Sequence, residues 1–124
     1  MKKMEHCQEQ ANAGTVSLPA MIPVVNLNGS TGSLAMPLVS FGTAAYPFAP
    51  ENTKTAIIKA IEASYRHFDT ASLYLSEMHL GEAISEALLL GLITCRTELF
   101  ITSKLWCNDC HPHLVLPALR KSLR

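Results

Sequence analysis

From Ile22 onward the chain alternates short apolar runs with longer stretches whose apolar positions recur at helical spacing. Ile22-Pro23-Val24-Val25-Asn26-Leu27 and Ser33-Leu34-Ala35-Met36-Pro37 flank Asn28-Gly29-Ser30-Thr31-Gly32, which predicts a hairpin. Its prolines confine it to an edge or peripheral position. Leu38-Val39-Ser40-Phe41 reads as a buried strand ended by Gly42-Thr43. Across residues 51–64, Ala56, Ile57, Ala60, Ile61 and Ser64 share one helical face, with Asn52 or Thr53 as N-cap. His67-Phe68-Asp69 is the next strand. A second helix is predicted from about Glu77 to Leu90, striped by Leu80, Ala83, Ile84, Ala87 and Leu88. Ser76 is placed to cap its start, and Gly91 to end it in a left-handed conformation. Leu99-Phe100-Ile101-Thr102-Ser103 gives a third strand. A third helix is expected from near Asp109, with Pro112 in its first turn and Pro117 inside it, where it should kink the helix or weaken a turn.

A hairpin followed by repeated strand-then-helix units argues for parallel βαβ connections. In a parallel sheet the carboxyl ends of the strands share one rim. Asp69 and Tyr74 follow one strand and Lys104 closes the next, so a carboxylate, a phenol and an ammonium are expected to converge there. That set suits proton transfer to a carbonyl oxygen. A phenol titrates near pH ~10, and a neighbouring ammonium favours its phenolate, while a carboxylate against the amine keeps the amine charged. Taken singly, each residue has a plainer reading: a carboxylate satisfied at a strand end, a half-buried packing tyrosine, a solvated lysine.

Composition narrows the classes. A chain of 124 residues suits one domain, here residues 21–124 behind a loose leader over residues 1–20. Ten basic and ten acidic residues cancel, which points away from nucleic acid or an anionic membrane as partner. An apolar fraction of 48% argues for a packed fold, and no apolar run approaches the ~18 residues of a membrane span. The first ten residues have a basic tip without an apolar core, unlike a secretory signal. With Cys7, Cys95, Cys107 and Cys110 scattered among ample apolar residues, reduced thiols and a cytoplasmic location are expected.

Tyr65-Arg66-His67-Phe68-Asp69-Thr70-Ala71, Leu80-Gly81-Glu82-Ala83-Ile84, Glu98-Leu99-Phe100-Ile101-Thr102-Ser103-Lys104-Leu105-Trp106 and Leu114-Val115-Leu116-Pro117-Ala118-Leu119 together resemble the aldo-keto reductase family. The resemblance covers about residues 22–124 and is strongest to the plant branch that includes codeinone, chalcone and methylecgonone reductases. It implies an α/β fold, the amino-terminal portion of a TIM-type (β/α)8 barrel, with NADPH as hydride donor and a small ketone or aldehyde reduced to an alcohol. Residue by residue it implies Tyr74 as general acid, Lys104 and Asp69 as its support, and Gly42, Thr43 and Asp69 near the nicotinamide. Trp106 resembles an aromatic wall of the substrate pocket, though simple packing at the rim is an equal reading. Leu75 stands where the family usually has a small residue, and Ala44 and Ala45 where many members have larger ones, which would widen the site.

The resemblance also sets what is absent. The family's catalytic histidine, in an Ile-His-Trp-Pro motif on the next strand, would follow Arg124, as would most carboxamide and 2′-phosphate contacts. A barrel takes about 250 residues. The expectation is therefore a truncated reductase, inactive by itself. The alternative is a non-catalytic protein that docks on a full-length reductase through its unpaired strand edge. A third class comes from Cys107-Asn108-Asp109-Cys110-His111, with His113 nearby. It matches the haem-attachment pattern and admits zinc, or a dithiol activated by a helix starting at Asp109. Two reduced thiols on a rim loop is the favoured reading, with no metal.

Overall fold

The computed structural model describes residues 22–29 and 32–123. The leader expected over residues 1–20 and the tip of the hairpin turn lie outside them. Strands β1 (Val24–Gly29) and β2 (Gly32–Pro37) pair antiparallel as a separate two-stranded sheet, with Leu27 opposite Leu34. Both strands are largely exposed, in keeping with the peripheral role that their prolines predict.

The core sheet has the order β3-β4-β5, all parallel, from β3 (Phe41–Gly42), β4 (His67–Asp69) and β5 (Phe100–Thr102). Helix α1 (Pro50–Glu62) connects β3 to β4, and α2 (Glu77–Leu89) connects β4 to β5. Phe41, Phe68 and Ile101 stand side by side in register and meet the two helices. Phe68 is fully buried among Ile57, Ile61, Leu80, Ala83, Ile84, Ala87, Ile93 and Leu99. Leu38 and Val39, expected inside this strand, are instead exposed residues ahead of a two-residue β3. The amide of Leu38 donates to Pro23 at the base of the hairpin, so this stretch serves the hairpin rather than the parallel sheet.

Helix boundaries follow local chemistry that the apolar periodicity misses. Pro50 takes the first position of α1, where its missing N–H costs nothing, so the cap is Ala49 rather than Asn52 or Thr53. Thr53 lies inside, its hydroxyl donating to the Ala49 carbonyl at 3.0 Å. Ala56 is exposed, and the buried face is Thr53, Ile57, Ala60 and Ile61. Both helices close with the same pair of bonds. Ser64 N–H reaches Ile61 O at 3.0 Å and Tyr65 N–H reaches Ala60 O at 2.9 Å; the second pair is Gly91 to Leu88 at 3.3 Å and Leu92 to Ala87 at 2.9 Å. Gly91 has the expected left-handed φ of 71°, and Ser64 adopts the same φ without a glycine's freedom. Ser64 therefore ends α1 rather than belonging to its apolar face.

Helix α3 (Val115–Ser122) starts six residues later than expected from Asp109, after a short turn over Cys107–Asp109. Pro117 consequently falls in its first turn, where no intrahelical donor is lost and no kink is needed. Leu88 on α2, Leu116 and Leu119 on α3, and Leu123 just after it are exposed. Among the described residues no helix is long and apolar enough to cross a membrane.

Candidate active site

The parallel register aligns the carboxyl ends of the three core strands: Gly42 lies opposite Asp69, and Asp69 opposite Thr102. Backbone bonds extend this alignment past the strands, from Thr43 N–H to Asp69 O at 2.9 Å and from Thr70 N–H to Thr102 O at 2.8 Å. Because side chains alternate along a strand, Asp69 shares its face with His67 while Phe68 points into the helical layer. The chain then makes a tight turn over Ser72–Tyr74 that brings the phenol back over the rim. Leu75 completes that turn with a φ of 56°.

Lys104 reaches into this corner from the segment after β5. Its Nζ donates to Asp69 Oδ1 at 2.5 Å and to the Thr70 carbonyl at 3.0 Å. The same nitrogen lies 4.7 Å from the centroid of the Tyr74 ring. The hydrogen bond to Asp69 raises the lysine above its ordinary 10.5; slight desolvation opposes this, and the Tyr74 hydroxyl adds to it. The ammonium is thus held charged beside the phenol. The three ionisable residues expected at the rim are brought together, all partly open to solvent.

A buried knot of hydroxyls holds the corner from behind. Ser76 Oγ, fully buried, lies 2.7 Å from Thr43 Oγ1 and 2.9 Å from Thr70 Oγ1. Thr43 Oγ1 also donates to the Asp69 carbonyl at 3.1 Å. Ser76 does precede α2, but its hydroxyl makes no cap; it ties the segments after β3 and β4 together instead. Its position before an apolar helix made capping the default reading, and nothing local to the sequence marks Thr43 and Thr70 as its partners. Beside this knot, Ser103 Oγ donates to Glu77 Oε1 at 2.6 Å, joining the segment that carries Lys104 to the start of α2.

The remaining predicted residues divide. Thr43 is 3% exposed, with its hydroxyl and its amide both engaged inside the protein. Gly42 is open, and a Cβ there would meet nothing within 4 Å. Trp106, 39% exposed, lines a cleft of about 200 Å³ with Lys104, Ser72, Leu105 and Leu119. A second cleft of about 290 Å³ is formed by the residues from Phe41 to Pro47 against α1, including Ala44 and Ala45. It contains none of the three ionisable residues, so Ala44 and Ala45 lie beside that corner rather than over it. Leu75 is 68% exposed and lines neither cleft. The loop with Cys107 and Cys110 is a surface turn, and α3 begins beyond both cysteines, so neither lies in the first turn of the helix expected from Asp109. His111 and His113 stack with ring centroids 6.0 Å apart. Among the described residues no group of three His, Cys, Asp or Glu side chains is placed to hold a metal ion.

Parallel β/α units with a Tyr-Lys-Asp corner at the carboxyl ends of their strands form an open portion of a (β/α)8 barrel. Residues 34–124 match the Aldo/keto reductase family, and the chain belongs to that family. It is 60% identical over 112 residues to 7-acetyl-epi-neemfruitin B aldo-keto reductase of Melia azedarach, covering 90% of this chain and 33% of that protein. It is 56% identical over 104 residues to NADPH-dependent codeinone reductase 1-4 of Papaver somniferum, covering 83% and 32%. A Bombyx mori aldo-keto reductase solved in complex with NADP superposes with a TM-score of 0.70 at 36% identity, over 83% of this chain and 34% of that one. The chain thus spans about a third of the length of the relatives it matches.

Proposed function

We propose that this chain supplies the proton-donating corner of an NADPH-dependent reductase that converts a ketone or aldehyde into an alcohol. One observation carries the reading: Lys104 Nζ bonded to Asp69 and poised 4.7 Å from the Tyr74 ring. NADPH, which the relatives' names and the NADP complex bring to the proposal, supplies the hydride when bound. The described residues fit its nicotinamide end in part: Gly42 leaves open space for a flat ring, and Asp69 offers a second carboxylate oxygen beside it. Tyr74 gives its proton to the carbonyl oxygen, and the adjacent ammonium stabilises the phenolate left behind. Asp69 keeps that ammonium in place and charged. Trp106 and Leu105 give the cleft next to Lys104 two apolar walls.

By itself the 124-residue chain is proposed to turn over no substrate, because the cation at this corner is already engaged by Asp69 and binding energy for the cofactor's phosphates must come from elsewhere. The test is a chimera in which residues 34–124 replace the matching segment of the Melia azedarach relative. Ketone-dependent NADPH oxidation is expected, with Tyr74→Phe lowering kcat by ~10²–10⁴ and leaving cofactor affinity intact. A Tyr74→Phe chimera as fast as its parent overturns the assignment.

A second reading draws on the exposed leucines of α3 and on β5, which has a neighbour on one side alone among the described strands. In it the chain docks without catalysis on a full-length aldo-keto reductase. Stable co-elution with such an enzyme, in the absence of any NADPH binding, would favour it. A cytoplasmic setting belongs to both readings.

A further inference from the structure

The loop that carries Trp106 continues into two thiols that the carbonyl chemistry does not use. Cys107 and Cys110 are both exposed. A single tight turn separates them: the amide of Cys110 donates to the carbonyl of Cys107 at 3.2 Å, closing an i to i+3 ring over Cys107–Asp109. Such a turn holds its end Cα atoms under ~7 Å apart, and a disulfide needs about 4.4–6.8 Å. Among the described residues neither thiol is locked elsewhere. The contact recorded for Cys107 Sγ is a 3.8 Å approach to its neighbour Asn108, too long to hold the side chain.

We propose that Cys107 and Cys110 form a reversible dithiol–disulfide site at the lip of the cleft beside Lys104, with low-molecular-weight disulfides as its oxidising substrates. The exchange balances without any further reagent. The thiolate of one cysteine attacks a sulfur of glutathione disulfide, the glutathione S–S bond breaks, and one glutathione thiolate leaves. The second cysteine, as thiolate, attacks the protein sulfur of that mixed disulfide. The Cys107–Cys110 bond forms and the second glutathione thiolate is expelled. Two protein thiols are oxidised, one glutathione disulfide is reduced to two glutathione thiols, and the protons lost by the cysteines pass to those thiols through solvent. The turn makes the second step intramolecular and fast relative to capture of another glutathione.

The site has a consequence for the cleft. Trp106 precedes Cys107 directly, and Trp106 and Asp109 both line the cleft. Bridging the two sulfurs fixes the turn between those lining residues, and places a disulfide next to the chain's one tryptophan. Oxidation is therefore expected to lower Trp106 emission, and dithiothreitol to restore it.

The experiment uses the whole chain, incubated with glutathione disulfide, alkylated, digested and read by mass spectrometry. A Cys107–Cys110 cross-link, lighter than the dithiol by two hydrogen atoms and reversible in dithiothreitol, is the expected product. Cys110→Ser should instead retain one glutathione on Cys107, because the resolving thiol is gone. Wild-type chain that keeps glutathione on Cys107 or Cys110, leaves both open to alkylation, or joins either one to Cys7 or Cys95 overturns the site. That readout requires no variant to fold. A cross-link formed without change in Trp106 emission overturns its coupling to the cleft.

Discussion

Removing the Ser76 hydroxyl tests whether the buried knot holds the corner of Asp69, Tyr74 and Lys104. In Ser76→Ala, Thr43 Oγ1 keeps the Asp69 carbonyl at 3.1 Å, but Thr70 Oγ1 loses its bond to Ser76 while 2% exposed. A stranded buried hydroxyl costs ~1–3 kcal/mol. Thr70→Val removes the other end; Ser76 retains Thr43 at 2.7 Å, so the loss is that of one bond, ~0.5–1.5 kcal/mol. In the double variant no hydroxyl is stranded, so its cost should stay near that of Ser76→Ala alone. The expected coupling is about 1 kcal/mol in the direction of the double variant being less damaging than its parts imply. Urea unfolding followed by far-ultraviolet circular dichroism measures all four corners of the cycle. Costs that add to within ~0.3–0.5 kcal/mol would mean the two hydroxyls do not depend on each other, and the knot would be refuted.

Ser64→Gly should stabilise the chain by ~0.5–1 kcal/mol, since a left-handed non-glycine residue costs ~1–2 kcal/mol and glycine's extra unfolded entropy returns ~0.5–1 of it. Gly91→Ala should cost about the same in the same assay, because a Cβ there meets nothing and the backbone conformation alone is penalised. Acid titration should expose Glu98. Burial works against its charge, but bonds from the Thr94 hydroxyl and amide and the Cys95 amide, with Arg66 nearby, hold its pKa below the ordinary 4.5. Its contribution is present above that value and lost as pH falls through the depressed one. Glu98→Gln should accordingly flatten the decline in urea midpoint below pH 4.5, and an unchanged acid limb would contradict the assignment.

The alternation of strand and helix was legible because each element buries one face: Phe68 and the Ile57–Ile61 stripe announce themselves by period alone. Asp69, Tyr74 and Lys104 were legible for a related reason, since parallel connections force strand ends onto one rim. What stayed hidden depended on contacts between distant residues. Ser76 looks like any helix cap until Thr43 and Thr70 are found behind it, 33 and 6 residues away. Leu38 and Val39 have strand-like side chains, yet the amide of Leu38 is claimed by Pro23. Pro117 reads as a breaker only while the start of α3 is unknown, because two proline positions inside a helix differ entirely in cost.

The register of β4 decides whether the corner exists at all. Side chains alternate, so a slip of one residue would send Asp69 into the helical layer and Phe68 toward Lys104. Both errors are expensive: a carboxylate among Ile57, Ile61 and Leu80 would be buried without a partner, and a fully buried phenylalanine would face water. His67 adds a polar check on the same register. Its Nδ1 lies 2.8 Å from Pro37 O and its Nε2 2.9 Å from Thr102 Oγ1, both on the face that Asp69 shares. Thus the apolar packing of Phe68 and the two bonds of His67 fix the carboxylate against the lysine from the strand beneath it. The geometry of the corner is set by the same forces that fold the sheet.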